Sequence, residues 1–171
     1  MAAPDVAQIL AAVSGARPVI LIDGRSGAGK TEMAVELVAA LNSQFVSLDD
    51  VCPGWDGLEA ASEMVRTDIL LANQFHCWNW YANAPGDWCD LNPSLPLVVE
   101  GSGALSRANR ELATLGVWVE LDEPTRKARA LARDGEQYAP HWDEWAAQEQ
   151  RFFDRERPDL LADVIIAGGQ L

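Results

Sequence analysis

The octapeptide Gly24-Arg-Ser-Gly-Ala-Gly-Lys-Thr31 fits the pattern G-x-x-x-x-G-K-[ST], and the chemistry open to those residues at that spacing is the holding of phosphate. Gly24, Gly27 and Gly29 permit turns that a Cβ would forbid, so the backbone N–H groups running through Arg25, Ser26 and Ala28 can approach phosphate oxygens. Lys30 adds a point charge for the β- and γ-phosphates, and the Thr31 hydroxyl is a ligand for Mg²⁺. The start of a following helix offers unpaired N–H groups and a positive dipole end to the same anion. Without nucleotide, Lys30 is expected to face solvent.

Other residues of chemical interest lie downstream. Asp49 and Asp50 follow the apolar run Phe45 to Leu48, and Glu100 closes the run that starts at Pro96. Ligands of open α/β sheets bind outside the carboxyl ends of the strands, so Asp49 and Asp50 belong on the same side as the phosphate loop. Arg126, Arg129 and Arg133 stand at i, i+3 and i+7, which puts three guanidinium groups on one helix face and Ala128, Leu131 and Ala132 on the other. That triplet reads either as a solvated face or as forks for phosphate oxygens. Trp55, Trp78, Trp80 and Trp88 read either as core or as a stacking platform for a planar ligand.

The elements that must position these residues alternate along the chain. Val6, Ile9, Leu10 and Val13 mark a short leading helix, Pro18 to Asp23 a first strand, and Met33, Ala34, Leu37, Val38 and Leu41 a helix ending near Asn42. A second strand covers Phe45 to Leu48, and a helix is predicted from Leu58 to Phe75 with Met64, Leu71, Ala72 and Phe75 among its inward residues. Trp78 to Tyr81 and Asp87 to Leu91 alternate like two hairpin strands. A third strand spans Pro96 to Gly101, a return helix Leu105 to Leu115, and a fourth strand Val117 to Leu121. Asp122 then caps a helix whose Pro124 suits its first turn, Trp142 to Phe153 form another helix, and Asp163 to Ala167 form a fifth strand closed by Gly168 and Gly169. Apolar strands alternating with helices predict an α/β fold with a five-stranded parallel sheet covered on both faces.

Length and charge narrow the function. The 171 residues fit a single domain, 1–171, and 49% hydrophobic content is enough for a sizeable core. A net charge of -13 repels polynucleotide backbones and anionic membrane surfaces, so neither nucleic acid nor membrane is an expected partner. Cys52, Cys77 and Cys89 show no C-x-x-C spacing and cannot all pair within one chain, which fits a reduced, cytoplasmic protein. His76 and His141 lie in no ligand-spaced cluster, so neither a zinc site nor a histidine-based triad is expected.

With these motifs in place, the chain resembles the P-loop small-molecule kinases, closest to the uridine-kinase-like branch of nucleoside and nucleotide kinases. The resemblance rests on GRSGAGKT, on SLDDVC, which looks like that branch's D-x-x-[YF] with Asp49 first, on VVEGSGAL, on the arginine-rich RKARALARD, and on ADVIIAGG. Cys52 departs from the branch's usual aromatic residue, and the Trp-rich segment 78–91 does not match a uridine-binding hairpin residue for residue. The resemblance implies a three-layer P-loop fold with a helical lid near residues 133–150, and transfer of the γ-phosphoryl group of ATP, with Mg²⁺, to a small-molecule hydroxyl, nucleoside-like by preference.

It also implies roles. Lys30, Asp49, Arg129 and Arg133 become the catalytic set, with Asp49 accepting the acceptor's proton, and Arg126 joins the phosphate loop in holding nucleotide. Thr31, Asp50 and Glu100 become the metal set, Asp50 through a water or else as a turn cap, and Glu100 in the outer shell or else as a brace for the loop. Two alternatives stay open: an antibiotic-modifying or other metabolite kinase, and a nucleotide-dependent switch or ATPase acting with a protein partner.

Overall fold

Val19, Leu21, Leu97 and Val99 pack on one side of a sheet while Ile20, Ile22 and Val98 pack on the other, so two cores form from strands that read as unbroken apolar runs. The computed structural model describes residues 3–168. Its sheet has five strands, β1 (Val19–Gly24), β2 (Gln44–Ser47), β5 (Leu97–Glu100), β6 (Leu115–Glu120) and β7 (Val164–Ala167), in the order β2-β5-β1-β6-β7. Every neighbouring pair in it is parallel. Helices α1 (Pro4–Ala12) and α2 (Lys30–Leu41) cover one face through Val6, Ile9, Met33, Ala34 and Leu37. On the other face lie Leu48, Val65, Ile69 and Leu105. The α/β class and the parallel sheet agree with the expectation from sequence, and Gly169 lies outside the described residues.

Several elements differ in extent from the sequence pattern. The predicted helix from Leu58 to Phe75 is α3 (Leu58–Met64) followed by a π-helical stretch, Val65–Leu71. It stops because Asn73 adopts a left-handed conformation (φ 55°), which leaves Leu71 and Ala72 exposed and starts Phe75 in a strand. The hairpin exists with other bounds, as β3 (Gln74–Asn79) and β4 (Ala84–Asp90), so Trp80 and Tyr81 sit in the turn between them. Only α4 (Arg107–Glu111) remains of the return helix predicted over Leu105 to Leu115. Ser106 caps it by accepting from Asn109 N, the Leu105 N–H is taken by Asp23, and Leu115 opens β6. The second strand ends one residue earlier than predicted, and Leu48–Asp50 form a 3₁₀ turn. After α5 (Glu123–Asp134), capped by Asp122 as expected, two 3₁₀ turns lead into α6 (Trp142–Glu156) and the short α7 (Pro158–Leu161).

Candidate active site

β1 delivers the phosphate loop directly to the N-terminus of α2. Gly27 (φ 82°) and Gly29 (φ 101°) hold left-handed conformations, and a Cβ on Gly27 would fall on the Arg126 carbonyl group, so the loop and the first turn of α5 press backbone to backbone. Lys30 does not face solvent. It is 8% exposed, and its Nζ donates to the Arg25 carbonyl at 3.2 Å, which folds the ammonium back over the loop.

Behind the loop stand three buried acids. Glu100, at the end of β5, accepts from Ser47 Oγ at 2.5 Å and from Thr31 Oγ1 at 3.3 Å. Burial raises its carboxyl above the ordinary range, an effect that the nearby Lys30 charge opposes. Asp23, the residue before the loop, accepts from the backbone of Gly24 (2.7 Å), Leu105 (2.9 Å) and Gly103 (3.2 Å), tying β1 to the turn after β5. Burial lifts its carboxyl to about 6, against the pull of those N–H groups and Lys30. Glu149 of α6, 4% exposed, reaches across with Oε1 to accept from Ser26 N (2.7 Å), Ser102 Oγ (2.8 Å) and Trp145 Nε1 (2.9 Å).

Lys30, Thr31, Asp49, Glu100, Arg129 and Arg133 open onto one cleft of about 810 Å³, within the range of small-molecule sites. Asp49 projects from the 3₁₀ turn after β2, and its carbonyl accepts from Trp80 Nε1 at 2.9 Å. Asp50 is not part of the cleft lining, and burial together with the adjacent Asp49 raises its carboxyl. Arg133 currently pairs with Asp134 at 2.8 Å. Arg126 parts company with the other two arginines. It is 4% exposed, with Nε donating to Leu121 O (3.0 Å) and one terminal nitrogen to Ser26 O (3.3 Å), so its guanidinium fastens α5 to the loop by backbone carbonyls. Hence the arginine face of α5 runs from buried Arg126 at the loop to Arg129 and the exposed Arg133 at the cleft, and Ala128 and Ala132 face solvent. Gly24, Arg25 and Ala28 belong to the loop without lining the cleft; the Arg25 guanidinium lies 4.9 Å from the Phe153 ring centre.

The far wall of the cleft is aromatic. Trp55 stacks on His141 (4.3 Å between ring centres, 7° between planes) and touches both Trp80 and Tyr138 at 5.3 Å. Trp55, Trp80, Tyr81, Tyr138 and Trp145 all line the cleft, whereas Trp78 and Trp88 do not. The Tyr138 hydroxyl is buried, and that burial pushes it above its ordinary range. Sequence reasoning missed Tyr138, Glu149 and Asp23 as site residues. Glu149 had one signal, its i+4 spacing from Trp145, and Asp23 had its place at the mouth of the loop.

No family model matches the chain, and no curated protein matches it. Among solved structures, the fold is similar to a possible uridine kinase from Bacillus stearothermophilus, with TM-score 0.61 and 18% identity over 94% of each chain. A shikimate kinase from Acinetobacter baumannii in complex with shikimate gives 0.55 and 17% identity, over 91% of this chain and 86% of that one. A gluconokinase from Sinorhizobium meliloti gives 0.53 and 18% identity, over 92% and 86%. The fold is that of the P-loop small-molecule kinases.

Proposed function

We propose that this protein transfers the γ-phosphoryl group of ATP to a hydroxyl of a small, planar, nucleoside-like acceptor. The observation that carries this reading is the joining of two ends in one cleft: Lys30, Thr31 and Glu100 on the phosphate side, and Asp49 beside an aromatic wall on the other. ATP–Mg²⁺ suits the residues present, since the loop's left-handed glycines leave N–H groups for phosphate and Mg²⁺ needs only one or two protein oxygens beside phosphate and water. Thr31 would hold the ion, its hydroxyl braced by Glu100, which in turn accepts from Ser47 Oγ. Bound there, the nucleotide supplies the phosphoryl group and the metal neutralises part of its charge.

The chain's own residues do the rest. Lys30, released from the Arg25 carbonyl, contributes its charge to phosphate oxygens, and Arg129 and Arg133 add forked donors from the face of α5. Asp49 takes the proton of the acceptor hydroxyl. Trp55 and Trp80 hold the planar part of the acceptor. A negative Asp49 disfavours an acceptor that already carries phosphate, so a neutral hydroxyl compound is preferred over a nucleoside monophosphate. The test is ADP release across nucleosides, nucleoside monophosphates, sugar acids, vitamins, and aminoglycoside and phenicol antibiotics. ATP turnover should stay at background until a neutral hydroxyl acceptor is added; turnover that needs no acceptor, or that responds only to monophosphates, would overturn the reading.

A further inference from the structure

Cys77 and Cys89 face each other across the β3–β4 hairpin with their sulfurs 3.2 Å apart, as free thiols. The strand register explains the meeting. Phe75 pairs with Cys89, and Cys77 lies two residues further along the same face of β3, at the irregularity between His76 and Trp78. The opposite face carries the His76–Trp88 ring pair, 3.6 Å between centres, so the two thiols share their face with Phe75 and not with that pair. Both thiols are partly exposed, whereas Cys52 is buried at 3% and its thiol is pushed up to about 12 by burial and neighbouring acids. The same hairpin ends in Trp80, which lines the cleft and holds the Asp49 carbonyl, so this pair sits on the element that shapes the acceptor side.

We propose that Cys77 and Cys89 are a reversible oxidation site, closing to a disulfide under a hydroperoxide and resetting the hairpin turn that borders the cleft. One thiolate takes an oxygen atom from the hydroperoxide and becomes a sulfenic acid, the peroxide being reduced to water or an alcohol. The second thiol then attacks that sulfur, the S–O bond breaks, water leaves and the S–S bond forms, so two thiols lose two electrons and two protons in all. A dithiol reductant reverses it. Closing the sulfurs from 3.2 Å to a bonded length near 2.05 Å brings them about 1 Å nearer and fixes the side-chain torsions of both cysteines across the hairpin, stiffening the element whose turn carries Trp80. The Cys89 contact, burial and the acids Asp50 and Asp87 hold the Cys77 thiol at about 11, which makes the first step slow at neutral pH and faster as pH rises.

The experiment uses the full chain and needs no acceptor. After treatment with hydrogen peroxide, titratable thiols in denaturant should fall from three to one, and peptide mapping should join Cys77 to Cys89 with the loss of two hydrogens. Cys77→Ser and Cys89→Ser should form no such link. Hydrogen exchange at residues 79–83 and 48–51 should differ at least threefold between the reduced and oxidised forms and return with dithiothreitol. Linkage between chains, oxidation of single cysteines to sulfinic acid, or a link that leaves exchange at those residues unchanged would each overturn the proposal. None of these readouts depends on phosphoryl transfer, so the site stands or falls separately from the kinase reading.

Discussion

The two ends of the cleft are built by opposite means. At the phosphate-loop end the chain makes a contiguous backbone turn, with Lys30 on the carbonyl five residues before it and Gly29 at the cap of α2, and distant Glu149 and Arg126 fasten that turn at Ser26. At the acceptor end side chains do the work, brought in from the turn after β2, the hairpin tip and the two 3₁₀ turns before α6. On the proposed reading, a backbone cradle of this kind recognises one chemistry, phosphate, once Glu149 and Arg126 hold it in place. On the same reading the aromatic wall sets which acceptor fits, and Trp55 and Trp80 can be changed without touching the cradle, whereas Trp145 is joined to it through Glu149.

Asp49→Asn should separate the ends most sharply. Transfer to the acceptor should fall by about 10²-fold or more while ATP affinity persists, measured by steady-state kinetics beside calorimetry. Undiminished transfer would remove Asp49 from the chemistry. Lys30→Ala breaks the other end: ATP–Mg²⁺ should bind roughly 10- to 100-fold more weakly, the range of a hydrogen bond to a charged group. Because Lys30 also donates to the Arg25 carbonyl, the variant should lose about 1 kcal/mol of stability as well, read by urea denaturation.

Arg129 and Arg133 lie between the ends. Replacing both by Gln should lower the transfer rate by about tenfold with little change in ATP binding, since forked donors act on the equatorial and leaving oxygens as the bond to the leaving group loosens. A loss under threefold, about 0.7 kcal/mol of barrier, would make them a solvated face. Arg126→Gln should act differently, costing stability at the α5–loop contact.

The smallest effect concerns Asp23. Its carboxyl titrates near 3.8 in the unfolded chain and about 6 in the fold, so the folded state binds the extra proton between those values. The stability it contributes is therefore fully present below about 3.8 and lost as pH rises through about 6. Between pH 5 and pH 8 that amounts to about 1 kcal/mol. Asp23→Asn should lose this share of the slope in paired urea titrations, while being less stable throughout because an amide cannot accept on both sides from Gly24, Gly103 and Leu105.

Much of the phosphate-loop end was legible in the sequence because strand, loop and helix are contiguous, although the contact that excludes a Cβ at Gly27 comes from distant Arg126. The parallel sheet was legible for the same reason, since every strand is a short apolar run. What stayed hidden depends on distant partners. The helix after β5 is short because Asp23, 82 residues away, captures the Leu105 N–H, and no periodicity carries that information. Helical spacing correctly put Arg126, Arg129 and Arg133 on one face, but spacing alone does not say that this face runs from the loop to the cleft and that the first arginine is spent on carbonyls of Leu121 and Ser26. The tryptophans divided by position: Trp55 and Trp80 reach the cleft, while Trp88 stacks on His76 outside it.

The Glu149 carboxylate meets the Ser26 N–H across 123 residues of chain. During synthesis the ribosome would release β1, the phosphate loop and α2 long before α6 emerges, so the crown of the loop waits for a partner from the last part of the chain. A nascent fragment ending after β6 would carry the full GRSGAGKT motif and four of the five sheet strands, yet have neither this anchor nor the arginine face of α5. Competence to hold nucleotide would then arrive late, with nearly the whole polypeptide made, and an incomplete chain would not sequester it.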